Sequence, residues 1–426
     1  MAPPWGTADR SLLAGIRVLD LSQIRAGPKT ARWLADAGAE VIKIESLKRP
    51  DRGGMWIRLD LSKPVPEEAQ REWNRTAGLG FDQLHRNKLG LSLDLTTERG
   101  KELLERLVRI SDVLVENFSA GVMERLGFGY DRLRALRPEI IVLSMPAFGT
   151  TGPYRDHVGF GWGLEHQSGI TALTGYLGDA PMRTGTITPD PLNGVHGAAA
   201  VAAALVQRRL TGRGQFIELA HWESTVALIG EAVLEQSFNG TFAGRLGNRH
   251  RVHAPQGCYR CAGGDEWVAL TVTSGDEWAG LCRALGRLEL ASDARFATAA
   301  ERRAHHDELD AIIGAWMAGR GKHEAMEALQ QHGVPAGAVL DNAEALTQEH
   351  FRARGFFQTL PHPDGVEFPY MNGPWRFSRT PVGVREPAPL LGEDNEYVLG
   401  ELLGLSAGEI AELESSGVTA RLSTPR

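Results

Sequence analysis

The chain contains 426 residues, of which 42% are hydrophobic and 23% are charged, proportions typical of a globular protein. A net charge of -7 offers no basic field for nucleic acid, so we expect no nucleic-acid partner. The N-terminus lacks the apolar core of a secretory signal, and no apolar stretch approaches the ~18 residues of a membrane-spanning helix. We therefore expect a cytoplasmic protein without membrane association, and the length predicts two or three domains.

The N-terminal part alternates between strand and helix patterns. Residues 16–21 predict a strand, 29–37 a helix and 41–45 a second strand, which together form a right-handed βαβ unit. The alternation continues with predicted strands at 91–95, 112–117 and 140–145 and helices at 97–110 and 132–136. Residues 46–85 predict an irregular surface loop. This order predicts a doubly wound α/β sheet.

Asp190 lies between two prolines, immediately before an Ala-rich segment that begins at Gly194. Each proline fixes its own φ and disfavours helix at the preceding residue, so the sequence predicts a stiff non-helical turn before the helix. A carboxylate at a helix entrance can act as an N-cap or as a preorganised nucleophile. The pattern alone leaves both roles open.

Residues 23–28 lie where the first predicted strand meets its helix. Backbone N–H groups at such a turn can receive a phosphate, and a purely structural turn is the alternative. The chain contains neither GxGxxG nor GxxxxGK[ST]. A nicotinamide dinucleotide or a nucleoside triphosphate is therefore not expected.

Cys258 and Cys261 have a CxxC spacing, which occurs in redox and zinc sites. No second cysteine pair accompanies them, and His250 and His253 lack the spacing of zinc-finger ligands. The pattern favours ordinary cysteines.

Several short motifs occur in a specific order along residues 12–420. They are Leu13–Ser22, Arg25–Pro28, Gly38–Glu45, Arg86–Lys88, Asp112–Phe118, Thr211–Gln215 and Ala388–Glu393. Their order and spacing resemble the class III CoA-transferases, the CaiB/BaiF family that includes formyl-CoA and carnitine CoA-transferases.

This resemblance implies an α/β fold in which both chain ends build a large Rossmann-like domain and the middle contributes a smaller α+β domain. The implied boundaries are 1–225 for the N-terminal part of the large domain, 226–250 for a linker helix, 251–335 for the small domain and 336–426 for the return. The resemblance also implies an interlocked homodimer.

The implied reaction moves coenzyme A from an acyl-CoA donor to a free carboxylic acid. Its nucleophile is Asp190, which would carry CoA as an aspartyl thioester. Neither a metal nor a redox cofactor is implied. Succinyl-CoA is a reasonable first donor, whereas the sequence does not identify the acceptor acid.

The resemblance assigns coenzyme A contacts to three regions. The residues concerned are Ile24, Arg25, Ala26, Lys88, Asn117, Phe118 and Arg125. Lys48 and Arg49 are additional candidates for the adenosine 3′-phosphate. On their own, Lys88 and Arg125 would be interpreted as solvated surface charges, and Asn117 as a strand-end cap.

The chain departs from the family pattern in three ways. Leu89-Gly90 follows Lys88 where the family often continues with further basic and polar residues, and no tetraglycine flap is present. Phe160 stands where related 2-methylacyl-CoA racemases have a catalytic histidine, and an apolar ring cannot exchange protons. His157 and His166 are close enough in sequence to substitute for that histidine.

Two rival interpretations therefore stay open. One is a racemase of the same family, and the other is a non-catalytic CoA-binding subunit. Glu165, His166 and Gln167 could line the acid-binding pocket or lie on a helix surface, and Phe148, Phe160 and Trp162 could form its apolar wall or pack in the core.

Overall fold

The structure is a computed structural model that describes residues 11–46, 48–51, 80–242, 244–361 and 367–422. Most of the loop predicted at 46–85 lies outside these ranges, although residues 80–85 are helical rather than irregular. The chain divides into two compact units. Met1–Ile170, Thr184–Val233 and Arg352–Arg426 form the first unit, and Thr171–Arg183 and Leu234–Phe351 form the second.

The first unit contains a parallel sheet with the strand order β3-β2-β1-β4-β5-β6. The strands are β1 (Arg17–Asp20), β2 (Glu40–Glu45), β3 (Lys88–Ser92), β4 (Val113–Glu116), β5 (Ile141–Ser144) and β6 (Phe216–Glu218). All neighbouring pairs are parallel, and the order reverses beside β1. The predicted doubly wound α/β sheet is therefore confirmed.

Helices connect these strands and continue through the chain. Their bounds are α1 (Ala26–Asp36), α2 (Glu98–Arg109), α3 (Val122–Leu126), α4 (Tyr130–Leu136), α5 (Gly161–Gln167), α6 (Ile170–Leu173), α7 (Pro189–Thr211), α8 (His221–Ala227), α9 (Gly230–Asn239), α10 (Gly275–Leu285), α11 (Ala299–Ala304), α12 (His306–Met317), α13 (Lys322–Gln331), α14 (Asn342–Thr347), α15 (Glu349–Ala353) and α16 (Ala407–Ser415). None of the helices in the described ranges combines the length and hydropathy required to cross a membrane.

Strands β1 to β5 are buried on both faces of the sheet, since their successive side chains point to opposite faces and nearly all of them are buried. Leu19 and Ile42 belong to one apolar cluster, and their neighbours Val18 and Val41 belong to the other. Parallel strands with two buried faces require this continuous apolar pattern. The same pattern allowed the strands to be predicted.

Helix α7 begins five residues earlier than the sequence predicts, at Pro189 rather than Gly194. The first helical turn tolerates proline because its N–H groups have no intrahelical acceptor. The prediction that Asp190 lies on a non-helical turn is therefore wrong, because Asp190 is in the first turn of α7. Strand β3 also begins earlier than predicted, at Lys88, in register with Val41 of β2.

Helices α1 and α7 pack closely at two glycines. The Thr30 hydroxyl donates a hydrogen bond to the carbonyl of Gly194 at 3.0 Å. A Cβ at Gly197 would lie 2.5 Å from the Thr30 hydroxyl oxygen, and one at Gly194 would lie 2.8 Å from Cβ of Lys29. The absence of side chains at these glycines brings the start of α7 beside the turn between β1 and α1.

The second unit has its own sheet and apolar core. Strands β7 (Gln256–Arg260), β8 (Trp267–Thr271) and β9 (Ala336–Ala338) pair antiparallel. Trp278 and Leu281 of α10 pack with Phe296 in the core of this unit. In the first unit, β10 (Phe357–Pro361) and β11 (Glu367–Met371) form a separate antiparallel pair.

Candidate active site

Asp190 is 8% exposed and lies in the first turn of α7. The N-cap position belongs to Thr188, where no side chain caps the helix, so Asp190 does not serve as the N-cap. Within the described part of the chain, its carboxylate accepts no hydrogen bond. A buried carboxylate without hydrogen-bond donors is poorly solvated, which is the condition that makes it a strong nucleophile.

Burial raises the pKa of Asp190 to about 6, while the positive charges of Arg25 and Lys29 oppose this rise. The carboxylate is therefore mostly ionised at neutral pH, although water does not surround it. Between the two roles that the sequence left open for Asp190, this environment favours the nucleophile over the N-cap.

The backbone of Gly161, at the start of α5, approaches Asp190 directly. A Cβ at Gly161 would lie 2.6 Å from one carboxylate oxygen of Asp190 and would also collide with Ile187. Only glycine fits here, because no other residue lacks a Cβ.

The turn between β1 and α1 contains the first three expected coenzyme A contacts. Ile24 is 39% exposed with φ of 74°, Arg25 is half-buried at the N-cap position, and Ala26 is buried as the first helical residue. The amide of Gln23 donates to Asn117 at 2.7 Å, and the Asn117 amide donates back to the Gln23 carbonyl at 2.8 Å. Asn117, which follows β4, thus fixes the turn from the neighbouring strand.

A network of fully buried charges lies at the base of this turn. Lys88 donates to Asp20 at 2.7 Å and to the carbonyl of Pro28 at 3.0 Å. Lys43 pairs with Asp51 at 3.2 Å, and His85 lies 3.3 Å from the same carboxylate. Burial lowers the pKa of His85 to about 3, so the imidazole is neutral.

The expected direct contact between Lys88 and coenzyme A does not fit this geometry. The Lys88 side chain has no exposed surface, and its ammonium is held by Asp20, the Pro28 carbonyl and Nδ1 of His85. Nor is Lys88 the solvated surface charge that its sequence context alone suggests. Its position instead supports the turn from within, because it links β3 to the end of β1 and to α1.

Phe118 and Arg125 lie in the chain that follows β4 and Asn117. Phe118 is half-buried against the apolar cluster of the sheet, and its amide donates to Glu116 at 2.7 Å. Arg125 is exposed on α3. Lys48 is exposed and pairs with Asp94 at 2.7 Å, whereas Arg49 is exposed beside it.

The three polar residues of α5 that the sequence analysis placed near the pocket differ in their burial. Glu165 is fully buried and accepts hydrogen bonds from the amide and hydroxyl of Thr184 at 2.7 and 2.8 Å. His166 and Gln167 are exposed. Glu165 therefore anchors the segment that leads to Asp190 and does not lie on the helix surface.

Phe160 immediately precedes α5 and is 48% exposed, so the ring at the racemase position is an accessible apolar group. Trp162 is 44% exposed on the same helix. Phe148 stacks edge-on with Tyr154 and Trp222. His157 is exposed and contacts this aromatic cluster.

Lys29 was not among the residues predicted for the site. It follows Arg25 by four residues on α1, and the charges of both residues act on Asp190. Its spacing from Arg25 was a signal in the sequence, because residues four apart share a helix face. Gly194 and Gly197, which allow α1 to pack closely against α7, were a second signal in the sequence that Lys29 lies near Asp190.

The cysteines of the CxxC sequence are free thiols in and beside β7. In the described portion of the chain, no group of three or more His, Cys, Asp or Glu side chains is arranged to hold a metal ion.

The parallel sheet and the turn that follows β1 define a doubly wound α/β protein, a class in which ligands bind outside the carboxyl ends of the strands. Residues 13–395 match CoA-transferase family III, and the chain belongs to that family. It is therefore an enzyme of the acyl-CoA:carboxylate CoA-transferase type, and the resemblance found in the sequence is confirmed.

Three similar proteins cover almost the whole chain. The succinyl-CoA–D-citramalate CoA-transferase of Chloroflexus aurantiacus is 35% identical over 95% of this chain and 98% of its own length. The formyl-CoA:oxalate CoA-transferase of Streptomyces avermitilis is 33% identical over 95% and 99%. A CaiB/BaiF family protein from Brucella suis has a crystal structure with a TM-score of 0.80, at 30% identity over 92% of this chain and 100% of its own.

Proposed function

We propose that this protein transfers coenzyme A from an acyl-CoA donor to a free carboxylic acid through an aspartyl-CoA thioester on Asp190. The observation that carries the proposal is the state of Asp190, which is 8% exposed and accepts no hydrogen bond from the described residues. An ionised carboxylate in such surroundings attacks a thioester more readily than a hydrated one.

The reaction proceeds by four acyl transfers that balance without an added proton. A carboxylate oxygen of Asp190 attacks the donor thioester carbonyl, which forms a mixed anhydride and releases CoA thiolate. The thiolate attacks the Asp190 carbonyl, which forms the aspartyl thioester and frees the donor carboxylate. The acceptor carboxylate then attacks this thioester, and the released thiolate attacks the acceptor acyl group to restore Asp190.

Coenzyme A binds at the turn between β1 and α1 in this proposal. In this turn, Ile24 contributes its exposed side chain, and main-chain groups of Arg25 and Ala26 receive amide groups of the pantetheine arm. Phe118 and Arg125 contribute from the chain after β4, and Asn117 both contacts the cofactor and fixes the turn. Lys88 acts from beneath the turn as a positioning residue.

The choice of first substrates follows the names of the relatives. The names of the Chloroflexus and Streptomyces relatives each include a dicarboxylic acid, citramalate or oxalate, and the Chloroflexus name also includes succinyl-CoA. Succinyl-CoA is accordingly the donor that we propose to test first. No step in the proposed cycle requires a metal or a redox cofactor.

The proposal includes a homodimer in which the two chains interlock. Its support is an exposed apolar surface on the first unit, where residues of α1 and α7 line a groove of about 990 Å³. Helix α9 has no buried residue, and Phe238 on it is 81% exposed. Light scattering after gel filtration should give twice the chain mass, and Phe238→Asp should lower it if α9 lies in the interface.

The covalent intermediate provides the test of the mechanism. Succinyl-CoA is mixed with the protein, and intact mass spectrometry should detect an adduct of the mass of CoA less one water. Hydroxylamine should convert this adduct to a hydroxamate at Asp190. Asp190→Asn should bind succinyl-CoA but form no adduct. An adduct that persists in Asp190→Asn would contradict the assignment of the nucleophile.

A parallel incubation in deuterated water separates the transferase from the racemase. A 2-methylacyl-CoA should retain its α-proton, because the exposed Phe160 ring cannot exchange it. Incorporation of deuterium without adduct formation would instead favour the racemase.

A further inference from the structure

We propose that Lys29, together with Arg25, forms a subsite that binds the second carboxylate of a dicarboxylic acceptor. This inference rests on the proposed function, because it assigns a substrate class to the site of Asp190. It also makes Lys29 a residue that determines specificity.

The geometry places both cations beside the nucleophile. Arg25 and Lys29 are one helical turn apart at the start of α1, and the Lys29 stem lies against Gly194. Gly194 follows Asp190 by four residues on α7, so it shares the helix face of the carboxylate. The ammonium of Lys29 therefore extends from a point about one turn from Asp190.

Neither cation has a counterion in contact. Among the residues that the structure describes, neither Lys29 nor Arg25 makes a side-chain ion pair or hydrogen bond, and Asp190 is beyond ion-pair distance of both. Both side chains are only half-exposed, so water replaces a counterion incompletely. A partly desolvated cation without a partner is stabilised by an incoming anion.

The surrounding charges strengthen this preference. Arg86 pairs with Asp36 at 2.7 Å, and Arg32 lies 3.8 Å from the same carboxylate, so one acidic group serves two guanidinium groups. Burial and then the charges of Arg32, Arg25 and Arg86 together lower the pKa of Lys29 to about 8, and the charge of Asp190 opposes them. The region thus carries excess positive charge that an anionic substrate would neutralise.

The position relative to Asp190 identifies which anion this is. Asp190 attacks the thioester carbonyl, so groups beside it face the acyl part of the substrate. The long pantetheine arm separates this carbonyl from the phosphates of coenzyme A, which therefore cannot reach the same cations. The remaining anionic group is a second carboxylate on the acid itself.

The test compares acids that differ only at the distal group. Succinate is paired with butyrate and glutarate with pentanoate, and binding to the CoA-bound protein is measured by calorimetry for wild type, Lys29→Met and Lys29→Arg. Wild type should prefer each dicarboxylate by about 10- to 100-fold, the range of a charge-assisted hydrogen bond. Lys29→Met should lose most of this preference, and Lys29→Arg should retain it.

Three results would overturn the inference. They are equal affinity of wild type for paired acids, no binding of either probe, and an equal loss of both acids in Lys29→Met. The last result would mean that Lys29 supports only the charge of Asp190. Unchanged CoA affinity and melting temperature in Lys29→Met would exclude misfolding.

The proposed function fails by a different measurement. If the adduct on Asp190 forms with succinyl-CoA while the acid preference is independent of Lys29, only the subsite is disproved. If no adduct forms while the dicarboxylate preference depends on Lys29, the subsite stands and the covalent mechanism is wrong.

Discussion

The carboxylate of Asp51 accepts the amide hydrogen of Ile24 at 3.0 Å, and Ile24 has φ of 74°. A left-handed backbone costs a β-branched residue roughly 1–2 kcal/mol, so the surrounding structure must stabilise it. Asp51 is held in turn by Lys43 at 3.2 Å. The buried ion pair therefore fixes the conformation of the turn that we assign to coenzyme A.

Asp51→Asn should destabilise the fold and weaken acyl-CoA binding. The substitution leaves the Lys43 charge buried without its counterion, which costs about 3–5 kcal/mol. Urea denaturation measures the loss, and the KM for succinyl-CoA should rise. Glu102→Gln is the control, because Glu102 and its partner Arg99 are 53% and 38% exposed and such pairs contribute no more than about 1 kcal/mol. Equal losses in the two variants would contradict the role of Asp51.

The sheet could be predicted from the sequence because its strands are apolar and separated by amphipathic helices. The buried charges could not be predicted, because Lys and Asp are ordinarily exposed residue types. Only the fold, which brings β3 close to the end of β1, pairs Lys88 with Asp20. The start of α7 was also predicted wrongly, because the rule against proline in helices does not apply to the first turn. Asp190 could be predicted as a candidate nucleophile because it directly precedes the Ala-rich segment.

Gly161→Ala should abolish most of the activity while the protein stays folded. The new Cβ would lie 2.6 Å from a carboxylate oxygen of Asp190, and that side chain must move to relieve the clash. A displacement of this size at a nucleophile lowers kcat by about 100-fold. Gly163→Ala is the control on the same helix, because its Cβ would meet no atom within 4 Å. If both variants retain wild-type kcat, the close approach of Gly161 is not needed for catalysis.

Donor turnover should fall as the pH decreases through about 6. Burial raises the pKa of Asp190 to about 6, and protonation below this pH removes the nucleophile. Lys29 lowers this pKa, so Lys29→Met should move the inflection in kcat/KM to higher pH. Lys101→Met should leave it in place, because Lys101 pairs with Glu98 on α2. An inflection that does not move in Lys29→Met would mean that the Lys29 charge does not reach Asp190.

Asp190→Asn should be more stable than wild type at pH 8. The pKa of Asp190 is raised in the folded state from 3.8 to about 6, so the ionised carboxylate destabilises the fold above pH 6 and has no such effect once both states are protonated. A shift of about two units corresponds to at most about 3 kcal/mol. Urea denaturation at several pH values should show a gain at pH 8 that shrinks as the pH falls from 6 towards 4.

The control for this prediction is Asp156→Asn. The Asp156 side chain is 83% exposed, so its substitution should change the free energy of unfolding by less than about 0.5 kcal/mol at either pH. A stability of Asp190→Asn below that of wild type at pH 8 would mean that burying the charge costs little. A gain at pH 8 would mean that the residue proposed to perform the chemistry is retained at a cost in stability, as is common for functional groups in buried sites.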